Sequence, residues 1–291
     1  MTTVAEALSG KNRRDENFPV ASRLLSARRR GPIIAFYRFA RAADDVADHP
    51  TLLADQKLAL LDGLDAALCG LGEPDPEAEP LRLALRERGL KPQHALDLLD
   101  AFRLDVRKSR YADWAELMDY CQLSAAPVGR FVLDVHEEDE RVWPASDALC
   151  AALQIINHLQ DCAKDYRNLD RVYLPEDILS RHGASIRMLS EPTAPPALRA
   201  SLAELARGAA ELAERGAKLI EQVRDLRLAA EIAAIQALAR RLAGDLESRD
   251  PLSQRVHLGK VGFAVVGGLG AMRFLASALV RSIGVWPKAP A

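Results

Sequence analysis

Asp44 and Asp48, and later Asp161 and Asp165, are carboxylate pairs set four residues apart inside largely apolar sequence. On a helix, residues four apart stack on one face with their β-carbons about 5–6 Å apart. The spacing extends in both directions. Tyr37, Arg41, Asp44 and Asp48 follow intervals of 4, 3 and 4, while Gln154, Asn157, Asp161 and Asp165 follow 3, 4 and 4. Each set therefore forms one stripe of an amphipathic helix. Ile34, Phe36, Phe39 and Ala43 supply apolar surface on the first helix, and Leu149, Leu153, Ile156 and Leu159 on the second. Asp45 is one residue out of register and should flank its stripe. Two such stripes aimed at each other would make an oxygen-lined cage for hard divalent cations.

The rest of the chain reads as helices punctuated by proline and glycine. Pro32 suits a first-turn position, so its helix should open there and run to Asp48, where His49-Pro50 ends it. Further helices fit Thr51–Cys69, Glu79–Arg88, Pro92–Lys108 and Ala112–Val135, the last kinked at Pro127 and Gly129. Pro144 should open a helix reaching Tyr166, followed by a loop from Arg167 to Pro175. After a proline-rich joint, Pro192–Pro196, long amphipathic stretches fill Ala197–Leu246. Residues 1–16 read as a flexible N-terminal segment, and 17–285 as a single all-helical domain, because the joints are too short to separate two.

Composition excludes several function classes. The formal net charge of −2 gives no basic field for nucleic acid. Cys69, Cys121, Cys150 and Cys162 form no Cys-x-x-Cys pair, which fits structural thiols in a reducing, cytoplasmic setting. The six histidines lack zinc-ligand spacing, and the Glu-x-x-His pairs of a di-iron bundle are missing. No charged-then-apolar leader opens the chain, which argues against secretion. The stretch Val261–Val280 is apolar but interrupted by Arg273, and a charge at mid-span costs about 2.5–3.5 kcal/mol. A buried or surface-seated helix is expected there rather than a spanning one, with peripheral contact at the inner face of a membrane left open.

Asp48 and Asp165 fall near the C-terminal ends of their helices, facing the negative end of the helix dipole. Each placement costs on the order of 0.3–1 kcal/mol if nothing compensates. Residues that break a local rule without local benefit tend to mark functional sites. Aspartate and asparagine oxygens suit magnesium better than zinc or iron, and magnesium commonly bridges carboxylates to substrate phosphates. Arginines suit that substrate: Arg41 lies in the first stripe, while Lys164, Arg167 and Arg171 border the second.

These stripes resemble the two metal-binding motifs of the squalene and phytoene synthases. Tyr120-Cys121-Gln122-Leu123-Ser124-Ala125-Ala126-Pro127-Val128-Gly129 resembles the family's Tyr-Cys…Ala-Gly-x-Val-Gly signature, and Arg171-Val172-Tyr173-Leu174-Pro175 its lid segment. The resemblance implies an all-α, single-domain class I isoprenoid-synthase helical bundle with a central active-site cavity. It further implies a prenyl diphosphate substrate and two or three Mg2+ ions. Asp44 and Asp48 would bind them from one side; Asn157, Asp161 and Asp165 from the other. Arg41, Lys164, Arg167 and Arg171 would grip the diphosphate. Tyr37, Tyr120, Phe36, Phe131 and Tyr173 are candidates around the substrate, and Gln154 or Asn17 could position water.

Within the family, the segments around Asn17 and Asn157 are similar to the bacterial branch that serves hopanoid biosynthesis. That branch ionises presqualene diphosphate, rearranges the cation and quenches it with water to hydroxysqualene, a carbon–oxygen lyase reaction needing no NADPH. Gln160 stands where relatives often carry arginine, which would fit an enzyme handling one diphosphate rather than two. Two alternatives stay open: condensation of two prenyl diphosphates to presqualene diphosphate or a phytoene-type product, and a non-catalytic polyprenyl-lipid-binding protein. Association with other squalene-pathway enzymes is also compatible with the resemblance.

Overall fold

Leucine- and alanine-rich periodicity becomes helix nearly everywhere. A computed structural model of the chain describes residues 3–8 and 25–282. In chain order the helices are α1 (Val4–Ala7), α2 (Ala27–Ala47), α3 (Ala54–Cys69), α4 (Glu79–Arg88), α5 (Gln93–Arg107), α6 (Trp114–Ser124) and α7 (Ala126–Val135). They continue with α8 (Trp143–Leu169), α9 (Glu176–Arg181), α10 (Pro196–Gly216), α11 (Leu219–Gln222), α12 (Leu226–Ser248) and α13 (Lys260–Ser282). No strand occurs among the described residues.

The 27-residue α8 is roughly 40 Å long and is the axis of the bundle. It packs against α6, α7, α10 and α12, while α2 packs against α3, α4, α5 and α7. Residues from α2 through α12 meet in one large core cluster. The approach of α7 to α8 requires a glycine. A β-carbon on Gly129 would lie 2.4 Å from Ser146 Oγ and 2.6 Å from Cys150 Sγ, well inside contact distance.

The structure departs from the sequence expectation at several places. Helix α2 opens at Ala27 rather than at Pro32, so the proline is interior. Its missing N–H would have served the Arg28 carbonyl, and the Arg88 guanidinium donates to that oxygen instead. The expected kinked helix over Ala112–Val135 is two helices, broken at Ala125 (φ −122°, ψ −48°), with Pro127 in the first turn of α7. Helix α8 runs on to Leu169 and ends at Asp170 in the left-handed region (φ 49°), held there by Arg110 on its carbonyl and carboxylate. The segment expected to be flexible holds one helical turn, α1, whose Val4 and Ala7 are buried, with Glu6 accepting from the Thr3 N–H at 2.8 Å. Asn17 lies outside the described residues.

Candidate active site

The two stripes run in the same order along α2 and α8: apolar first, acidic later. Between their earlier turns lies an apolar cavity of about 310 Å³. Ile33, Phe36, Tyr37 and Ala40 of α2 line it, with Leu149, Cys150 and Leu153 of α8 and Leu228, Ile232 and Ile235 of α12. Glu231 of α12 is buried and is the one carboxylate on its lining among the described residues. Phe131 stacks on Phe36, ring centroids 4.1 Å apart, and so backs the cavity wall rather than facing it.

One to three turns further along each helix the acidic residues begin. On α2, Arg41 grips two carboxylates at once: Asp44 at 2.5 Å and the buried Asp45 at 2.7 Å. Burial and the nearby Asp48 carboxylate raise Asp44 to about 7, against the pull of Arg41. Asp48 is the C-cap of α2 and pairs with Arg171 at 2.8 Å. The unfavourable helix-end carboxylate is thus offset by a guanidinium from 123 residues away. On α8, burial and Asp161 raise Asp165 to about 7, opposed by Lys164; Asp48 pushes the same way and Arg171 opposes. Asp48 therefore acts on both Asp44 and Asp165, so the walls are within electrostatic reach of each other.

Behind the walls lies a polar core that periodicity did not reveal. Asp105 of α5 is buried and accepts from Tyr120 Oη at 2.9 Å and from Tyr173 Oη at 2.8 Å. Burial raises its carboxyl to about 6, moderated by Arg171 and the two tyrosines. Arg171, expected to grip diphosphate, is buried; it donates to Asp48, to the Asp105 carbonyl and, at 3.4 Å, to Tyr173 Oη. Tyr120 and Tyr173 likewise face this core, where burial beside Asp105 pushes both phenols well up. His158 stacks on Tyr173 at 3.6 Å between centroids, and burial with Arg171 nearby brings it down to about 3, so it is a neutral imidazole. The signal for Asp105 was a carboxylate on an apolar face, in register with Leu98 and Ala101. His158 gave only its place inside the second stripe.

The remaining candidates divide. Gln154 bonds His158 at 3.2 Å, one turn before Asn157. Gln160 is buried and donates to the Val256 carbonyl at 2.6 Å, a strut between α8 and the loop before α13 rather than a group facing the walls. Lys164 and Arg167 are exposed. Arg167 lines a polar cleft of about 440 Å³ with Lys57, Arg107, Lys108 and Arg171, beside Asp105 and the end of α2.

Among the described residues no three carboxylate, histidine or cysteine side chains converge closely enough to hold a metal ion as they stand. The donor chemistry nonetheless fits one: all-oxygen ligands on two walls, with Asp44 and Asp165 each raised by burial and by a neighbouring carboxylate, Asp48 and Asp161 respectively.

Residues 11–261 match the family model for squalene/phytoene synthase. The chain belongs to the squalene/phytoene synthase family. It is 54% identical over 288 residues to a hydroxysqualene synthase of Rhodopseudomonas palustris, covering 99% of this chain and 97% of the relative. The hydroxysqualene synthase of Zymomonas mobilis is 46% identical over 273 residues, 92% of each chain. The solved squalene synthase HpnC from Alicyclobacillus acidocaldarius superposes with a TM-score of 0.70 at 29% identity, covering 84% of this chain and 91% of that one.

Proposed function

We propose that the chain converts presqualene diphosphate to hydroxysqualene and diphosphate. The observation that carries this reading is the continuity of α2 and α8. The same two helices line an apolar cavity and, further along, carry acidic residues within electrostatic reach of one another, so one amphiphile with a hydrocarbon body and a diphosphate head fits lengthwise. Identity of 46–54% to hydroxysqualene synthases over nearly the whole chain supports the same reaction.

Chemically, the carbon–oxygen bond to diphosphate breaks with its electron pair staying on oxygen, and water later supplies the oxygen of the alcohol while its proton leaves. Arg41, Lys164 and Arg167 bind the departing diphosphate; Arg171 first acts by holding Asp48, Asp105 and Tyr173 in place. Asp44, Asp48, Asn157, Asp161 and Asp165 would hold Mg2+, which when bound neutralises diphosphate charge and improves the leaving group. The apolar lining excludes water from the cation until rearrangement is complete, and Phe36 and Tyr37 offer aromatic faces to it. Gln154, its amide braced by neutral His158, is suited to orient the quenching water.

The test is purified protein with Mg2+ and presqualene diphosphate, read by mass spectrometry. Hydroxysqualene formed without NADPH supports the proposal. Product arising only from farnesyl diphosphate, or squalene formed only with NADPH, overturns it. Intact lipid binding without diphosphate release, unchanged in Asp44→Ala and Asp161→Ala, would point to a non-catalytic carrier.

A further inference from the structure

Helix α13 has two faces of different character. Its inner face is small and fitted to α12: a β-carbon on Gly270 would lie 2.6 Å from the Ala233 carbonyl oxygen and 2.8 Å from Ala237 Cβ. Ala271 is buried against Ala230 and Ala234, with Phe274 beside them. The outer face carries Val261, Val265, Leu269, Met272 and Val280, each at least 43% exposed. Seven of the thirteen exposed large apolar residues among the described ones belong to this helix. Within Lys260–Val280 an 18-residue window reaches a mean hydropathy of 1.8, yet only 11% of that window is buried. A contiguous apolar stripe of this length is unusual on a soluble surface.

Charge identifies what covers it. Five of the chain's 39 lysines and arginines, and none of its 41 acidic residues, lie at or beyond Pro251, although the whole chain is net negative. Arg273 is exposed at the edge of the stripe and Lys260 stands at its start. An apolar helix face with basic residues and no acids along the same stretch of sequence matches an anionic lipid surface. A second copy would bring the same basic residues face to face. Spanning is disfavoured because α13 lies along α12, a helix of the main core, which holds it flat. The position is also informative. Leu228, Ile232 and Ile235 of α12 line the apolar cavity, while Ala230, Ala233 and Ala234 of the same helix seat α13.

We infer that the outer face of α13 docks this protein on an anionic bilayer, lying in the interface with α12 as the wall between bilayer and cavity. This goes beyond the proposed reaction, and binding is read without substrate, so either can fail alone.

The experiment is co-sedimentation of the full chain with vesicles of phosphatidylglycerol and phosphatidylcholine, compared with phosphatidylcholine alone. Wild type is expected in the anionic pellet, with less bound as salt rises. The pair Val265→Glu and Leu269→Glu should cut partitioning at least about tenfold, while Leu71→Glu, on a different exposed surface, should not. As a readout that tolerates poor folding of the charged pair, Val265→Cys in a Cys69→Ser background takes an environment-sensitive fluorophore. Its emission should shift to the blue on anionic vesicles, and that of Leu71→Cys should not. Equal partitioning of wild type and the glutamate pair, no fluorescence shift, or a dimer broken by the glutamates without vesicle binding would each overturn the inference.

Discussion

The acidic walls on α2 and α8 look equivalent in sequence and are not equivalent in the structure. Every carboxylate of the α2 wall is already partnered: Asp44 and Asp45 by Arg41, Asp48 by Arg171. On α8, Asp161 and Asp165 make no ion pair among the described residues, and crowding with burial drives Asp165 to about 7. The difference separates two tasks. The α2 wall is already countered by guanidiniums, Arg41 of its own and Arg171 from the segment after α8, whereas the α8 wall gains most from a cation brought by solution or substrate.

Substitutions can break this asymmetry. The largest effect is expected on the α8 side. Asp161→Ala should lower turnover by on the order of 10³, as removal of a strong electrostatic contact in a reaction site commonly does, while urea unfolding in the absence of Mg2+ shows stability kept or raised. If Asp161→Ala instead unfolds the metal-free protein, the α8 wall is structural and the contrast fails.

Next is the core behind the α2 wall. Asp105→Leu strips a charged acceptor from Tyr120, Tyr173 and the neighbourhood of Arg171, and should destabilise by about 2–3 kcal/mol, read from the urea midpoint. An unchanged midpoint would mean that Asp48 and the backbone carbonyl of residue 105 hold Arg171 without the Asp105 carboxylate.

A smaller effect concerns pH. Asp44 and Asp165, both raised to about 7, hold protons in the metal-free protein below that pH, so a cation must displace them. Mg2+ affinity should therefore rise with pH up to about 7 and level off above it. Calorimetry in buffers of different ionisation enthalpy should show proton release on binding at acidic pH and little at alkaline pH. Asp165→Asn should reduce the release; release that is equal at both pH values would remove the basis for this sign.

The smallest expected effect is at Tyr111. Its buried hydroxyl has no hydrogen-bond partner among the described residues, so Tyr111→Phe should be neutral or stabilising by up to about 1 kcal/mol in thermal unfolding. A marked loss would show that this hydroxyl serves the Asp105 core.

The sequence made some of this plain and hid the rest for physical reasons. Both stripes were legible because helical period alone brings residues four apart together, and nothing distant is required. Pro32 was misplaced because the Arg88 side chain that satisfies the Arg28 carbonyl lies 60 residues away. Arg171 looked like a free phosphate ligand, since nothing local announces that Asp48 and Asp105 claim it. Asp105 went unread because a lone carboxylate has no period, and its partners come from α6 and the segment after α8. The expected helix ends at Cys69 and Arg88 coincide with the ends of α3 and α4, each followed by a glycine at positive φ, a local device that needs no distant partner.

The segment after α8 and the first turn of α9 are stitched to the α5–α6 link by three backbone bonds: Val172 N–H to Ser109, Glu176 N–H to Tyr111 and Asp177 N–H to Ala112. These amides can serve as a clock for the site. Deuterium uptake at Val172, Glu176 and Asp177 in common, faster than in the core of α8, would report a local opening that swings Arg171 away from Asp48 while the bundle stays folded. Uptake as slow as that of α8 would mean that the two acidic walls and their guanidinium clasp part only when the whole bundle unfolds.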